Sequence, residues 1–191
     1  VSDLIQIVYV SRSTFPVMPA ERGIEPSVAR ILAQSRINNP RRGLVGALYF
    51  GDGCFFQCLE GRAADVDRLY AALLDDPRHT DLKVLSRRPI ERTGFASWSM
   101  KYVPLDAPMR ALLAERGLST FDPYRFDEAT VARVLALLRD GGDVMLPLEA
   151  AAPRQERLDA DNGRALRMAR LSIALASLAL LASAAALVLA W

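Results

Sequence analysis

Residues 4–11, LIQIVYVS, form an apolar run rich in β-branched side chains and predict a strand, and FPVMPAERGIEP after it has the Pro and Gly content of a loop. From Pro26 onward Val28, Ile31, Leu32, Ser35 and Asn39 recur at helical spacing, and the helix is expected to stop before Pro40 with Asn39 on or beside its buried stripe. Two apolar runs, LVGALYF at 44–50 and CFFQCLE at 54–60, are joined by Gly51-Asp52-Gly53, whose glycines supply positive φ for a hairpin. Val66, Leu69, Tyr70, Leu73 and Leu74 give residues 62–75 one amphipathic face, ended by Asp75-Asp76-Pro77. Further strands are expected near 82–90 and 98–103, linked through Arg92-Thr93-Gly94-Phe95. The resulting order, β-α-β-β-α-β-β, predicts an α+β domain: one mixed sheet with two helices on the same face, the ferredoxin-like arrangement. Short helices at 107–116 and 128–139, the second with Val131, Val134, Leu135 and Leu138 on one face, are expected to cover the other face.

Composition changes this picture at one end. The chain has 191 residues, 51% apolar, yet the segment from Leu171 to Trp191, LSIALASLALLASAAALVLAW, carries no charge. At 1.5 Å per residue it reaches about 31 Å, the thickness of a hydrocarbon core, and predicts a C-terminal transmembrane helix. Arg164, Arg167 and Arg170 stand before it and would hold the preceding residues at the cytoplasmic side. Small residues Ala174, Ser177 and Ala182 would let two tails pack, which makes a homo-oligomer one expected assembly. Residues 141–163 have no sustained apolar period and read as a linker, so the expected organisation is a domain at 1–104, a helical extension at 105–140, a linker with a basic end at 141–170 and the tail at 171–191.

Charge adds little: 24 Lys+Arg against 22 Asp+Glu give a net charge of +2, which names no partner and provides no general field for nucleic acid. Cys54 and Cys58 lie four positions apart in one strand, about 13 Å at ~3.3 Å per residue, beyond the reach of a disulfide. Reduced thiols and the lack of an apolar leader pattern fit a cytosolic body. His79 stands without a carboxylate or cysteine cluster at ligand spacing, so no metal site is expected.

One polar residue interrupts the hairpin. Strand parity puts Phe55, Gln57 and Leu59 on one face and Cys54, Phe56 and Cys58 on the other. A buried amide needs partners, since leaving it bare costs about 1–3 kcal/mol. Tyr9, in the first strand, is the protein group placed to serve it, and Trp98 and Met100, sharing a parity on the last strand, are expected near the same region, with their order of approach open. A Gln bonded to a Tyr inside an ordinary core is the plain alternative.

Tyr9-Val-Ser11, Ser35-Arg-Ile-Asn38-Asn39, Gly43-Leu-Val-Gly46-Ala-Leu, Phe55-Phe-Gln57-Cys-Leu-Glu60-Gly61, Asp76-Pro-Arg78-His79 and Phe95-Ala-Ser-Trp98-Ser-Met100, in this order and spacing over residues 3–103, resemble the successive signatures of the BLUF domain. The resemblance implies a blue-light photoreceptor holding FAD non-covalently between the two helices, against Val28, Ile31, Leu32, Val66 and Leu69 or Leu73. It implies Asn39 at the O4/N3 edge of the flavin, Arg78 near O2 and Gln57 between Tyr9 and N5/O4. Ser11, Asn38 and His79 match positions near the flavin or its phosphate chain. The implied photochemistry is electron and proton donation by Tyr9 followed by rotation or tautomerism of Gln57, with Trp98 or Met100 passing the change to the helices after Pro104. The loop at 14–25 is longer than the family's usual link. No catalytic output domain is recognisable, so a downstream protein partner is expected and nucleic acid is not. The alternative from another class is an RRM-like nucleic-acid module, whose topology is the same and whose basic-Gly-aromatic strand is superficially echoed by Arg42–Tyr49. Acyl phosphate hydrolysis uses this topology too, but no phosphate-cradling glycine loop follows the first strand.

Overall fold

The computed structural model describes residues 3–17, 24–96 and 98–144, all within one compact unit, Val1–Ala151. The strands are β1 (Leu4–Ser13), β2 (Val45–Gly51), β3 (Cys54–Arg62), β4 (His79–Pro89) and β5 (Lys101–Val103); the helices are α1 (Pro26–Arg41), α2 (Ala63–Leu74), α3 (Ala107–Glu115) and α4 (Glu128–Asp140). They form a five-stranded sheet in the order β4-β1-β3-β2-β5, antiparallel except for the β2–β5 pair. This is the ferredoxin-like order with β5 added at the edge.

Local chemistry sets the element ends. The Glu25 carboxylate accepts from the amides of Ser27 and Val28 at 2.6 and 2.9 Å, and Pro26 opens α1. Asp106 and Asp127 cap α3 and α4 in the same manner, accepting from Met109 and Thr130. Asp52 and Gly53 both have positive φ, 46° and 75°, the two-residue turn that matches hairpin twist. Gly46 lacks a side chain because a Cβ there would sit 2.3 Å from the Cys58 carbonyl oxygen.

Strand alternation divides the core in two. Ile5, Ile7, Tyr9, Leu48, Phe55 and Leu59 face Val28, Ile31 and Leu32 of α1 and Val66 of α2. Val8, Val10, Ala47, Tyr49, Phe56 and Cys58 face Met109, Leu112, Val131, Val134, Leu135 and Leu138 of α3 and α4. The sheet face that a nucleic-acid module would leave open for base stacking is therefore covered, and Tyr49 is fully buried with its ring 6.3 Å from that of Phe121.

Three expectations are corrected. The last strand is not 98–103 but 101–103, because the chain turns around Gly94–Ala96: Glu60 takes the Gly94 and Phe95 amides, and the Trp98 amide donates back to the Phe95 carbonyl. α1 continues through Pro40 to Arg41, since Pro in the last turn removes one hydrogen bond while the Asn39 carbonyl gains the amides of Arg42 and Leu44. β4 begins at His79 rather than 82, through pairing of His79 and Thr80 with Ser13 and Arg12. No helix among the described residues is long and apolar enough to cross a membrane. The linker from residue 145 onward, the tail at 171–191 and part of the long loop at 14–25 lie outside the described residues.

Candidate functional site

β1 and β3 place Tyr9 directly opposite Gln57, and both side chains point to the α1/α2 face. The Tyr9 hydroxyl donates to Gln57 Oε1 at 2.8 Å. Gln57 is 4% exposed, and its Nε2 has no partner among the described residues, so a buried donor is left unpaired there. Burial first, and then the nearby Tyr70, Cys58 and Asp76, push the Tyr9 phenol well above its ordinary range, which keeps it protonated. The Tyr70 ring meets Tyr9 edge-on at 5.5 Å.

Both residues open on a cleft of about 190 Å³. Ile31, Leu59, Leu69 and Leu73 form its aliphatic walls, Asn38, Asn39 and Arg42 lie along the end of α1, and Met100, Arg78 and His79 close it. Val28, Leu32 and Val66, expected at the wall, are packed in the core beneath it. Asn39 is buried and donates from Nδ2 to the Ser99 carbonyl at 2.7 Å. Arg42, the C-cap residue of α1, contributes to the lining.

His79 supplies a second open position. Its Nδ1 shares a 2.9 Å hydrogen bond with the Ser11 hydroxyl, while its buried Nε2 has no partner among the described residues. Burial lowers its pKa from 6.5 to about 4, opposed by Asp76 and assisted by Arg78. The ring is therefore neutral near pH 7. Ser11 is not in the lining and acts on the cleft through His79. Arg78 is held by Asp76 at 2.6 Å and reaches Gln34 Oε1 at 3.2 Å. The hydrogen bonds from Arg78 hold the Asp76 carboxyl below the usual carboxylate range.

Trp98 and Met100 separate. Met100 is buried on the cleft side, whereas Trp98 packs against the α3/α4 core and lies 4.0 Å under the Lys101 ammonium. Lys101 escaped the sequence reading: it is 1% exposed and donates to the Arg139 carbonyl at 2.7 Å. Its signal was being one of two lysines in an arginine-rich chain, inside an apolar strand. Glu60 is buried and accepts from Gln6 Nε2 and from the amides of Gly94 and Phe95.

The donor set fits a flavin: aliphatic walls for a flat ring, with buried Gln57 Nε2, His79 Nε2 and the Asn39 amide as convergent polar groups. A second cavity of about 800 Å³ lies by Phe50, Leu105 and Phe121, but neither of these open buried side-chain nitrogens reaches it.

Residues 4–101 match the model of the family described as "BLUF: Sensors of blue-light using FAD". Photoactivated adenylate cyclase subunit beta of Euglena gracilis is 31% identical over 144 residues, 73% of this chain but 16% of that protein. The chain thus spans between about a tenth and a sixth of the length of the curated relatives it matches. The ground-state structure of BlsA is similar with a TM-score of 0.67 at 28% identity, covering 74% of this chain and 91% of that one. A bacterial light-regulated adenylyl cyclase gives a TM-score of 0.51 at 29% identity over 73% of this chain and 40% of that one. These findings favour the light-sensor reading over the nucleic-acid module, and the chain belongs to the BLUF family of flavin-dependent blue-light sensors.

Proposed function

We propose that residues 1–104 hold FAD non-covalently and use Tyr9 and Gln57 to convert blue-light absorption into a change of hydrogen bonding. The observation that carries this is the buried Tyr9–Gln57 pair, which lines the cleft and whose amide nitrogen has no partner among the described residues. Asn39 and Gln57 would hold the polar edge of the ring and Arg78 its O2 side. Asn38 and His79, the latter oriented by Ser11, would serve the ring or the phosphate chain. When bound, the flavin supplies the absorption and, once excited, an acceptor for one electron. Tyr9 would be the residue that supplies that electron, and its hydroxyl would release and recover its proton along the 2.8 Å bond to Gln57 Oε1. Gln57 is left rotated or tautomerised, because an amide carries donors and an acceptor on one rotor and inverting it changes what both neighbours see. Met100, which lines the same cleft as Gln57, would then feel the change before Trp98, which packs on the other face of the sheet.

The sensor is read as acting on a protein partner and not as an enzyme. Residues 171–191 would anchor it in a membrane with residues 1–170 on the cytoplasmic side, a reading supported by the uncharged run and the preceding arginines. The experiment is to purify the full chain, denature it and identify the released chromophore. FAD in about one copy per chain is the expected result, together with a flavin-loaded Tyr9→Phe variant that no longer responds to light. A folded protein that stays colourless when given FAD overturns the proposal.

A further inference from the structure

The α1 residues Arg36 and Asn39, one turn apart, grip two consecutive carbonyls of the segment before β5. Asn39 Nδ2 donates to Ser99 at 2.7 Å and Arg36 Nε to Met100 at 2.9 Å. The other arm of Arg36 reaches the residues that follow α4: Nη2 donates to Asp143 Oδ1 at 2.8 Å and to the Val144 carbonyl at 3.0 Å. Asp143 Oδ1 also accepts the Tyr102 amide at 2.9 Å, and the Val144 amide donates to the Tyr102 carbonyl at 3.0 Å. The Arg36 and Asp143 side chains are 19% and 16% exposed, so water competes little for this ion pair.

We infer that Arg36 is a positioning residue that ties the wall of the flavin cleft to residues 141–144, the route by which the chain leaves α4, and that light releases this tie. The inference rests on the photosensor reading above. One guanidinium bonds both ends: the carbonyl of Met100, whose side chain lines the cleft, and the carboxylate that holds the exit segment against β5. Displacement of the Ser99–Met100 backbone, following rearrangement of Gln57, pulls Nε away from its acceptor and rotates the planar fork, so the Asp143 and Val144 bonds lengthen together. A lysine could not couple the two ends in this way, because its single nitrogen cannot span both acceptors in a fixed plane. The output is thus a loosening of Asp143–Val144, at the point where the chain continues toward the linker.

Two amides report the tie directly, those of Tyr102 and Val144. Hydrogen exchange is measured on the flavin-loaded full chain, dark and illuminated, for the wild type, Arg36→Gln and Asp143→Asn. In the wild type, illumination speeds exchange at both amides while β1 amides are unchanged. In the dark, Arg36→Gln exchanges at these amides about ten- to a hundredfold faster than wild type, the change expected for one lost charge-assisted hydrogen bond, and light adds little. Asp143→Asn, which keeps an acceptor for Tyr102, shows the same direction with smaller size. Equal dark exchange in the wild type and both variants overturns the tie. A wild type that undergoes its red shift with no change at Tyr102 and Val144 overturns the release by light while leaving the photosensor reading intact. A protein with no red shift overturns the photosensor reading and the release together, and the dark comparison still decides the tie.

Discussion

Gln57 and Tyr9 show how far a single side chain can be read. Parity placed the amide on the face of Phe55 and Leu59, and the Tyr9 hydroxyl indeed donates to it from the opposite strand. Trp98 was misplaced because parity holds only where a strand exists, and Glu60, whose grip on Gly94 and Phe95 breaks the strand, has no recognisable local pattern. His79 carries a prediction of its own. Its pKa is about 4 in the folded chain against 6.5 when free, so between these values the unfolded chain binds more protons and stability falls as pH falls. Wild type should lose about 1–2 kcal/mol relative to His79→Gln between pH 7.5 and 5, read by urea unfolding at both pH values. Parallel losses in the two proteins would contradict the buried neutral imidazole.

Among the elements, the hairpin and both cleft helices were legible from apolar period and turn residues. The turn at Gly94–Ala96 and the tie across α1, β5 and residues 141–144 were not, since they join positions as far apart as Arg36 and Asp143 through polar contacts that leave no period. Glu60 is the anchor of that turn. Glu60→Ala leaves the Gly94 and Phe95 amides and Gln6 Nε2 without their acceptor, and should cost about 3 kcal/mol or more in denaturant unfolding. A loss within about 0.5 kcal/mol, the range of an ordinary surface change, would mean that water replaces the carboxylate there. The order β4-β1-β3-β2-β5 puts Tyr9 and Gln57 on the two central paired strands, where neither can shift register without exposing the whole apolar set beside it.

For the whole molecule, the sheet separates two tasks: its α1/α2 face holds the cleft, and its α3/α4 face buries a core that would otherwise be a stacking surface. The family model, matching residues 4–101, covers β1–β4 with α1 and α2 and stops before α3 and α4. The uncharged run at 171–191 predicts that the full chain remains with membranes after carbonate washing while a chain lacking 171–191 is released. A full chain found wholly in the soluble fraction would remove the anchor from the account and leave the sensor unaffected. The central claim is that an amide between a phenol and a flavin cleft does the sensing. It is tested most directly by the light-minus-dark absorption spectrum of the flavin-loaded wild type beside Gln57→Leu. The account predicts a red shift that reverses in the dark for the wild type and none for the variant; a Gln57→Leu protein with the same reversible shift would contradict it.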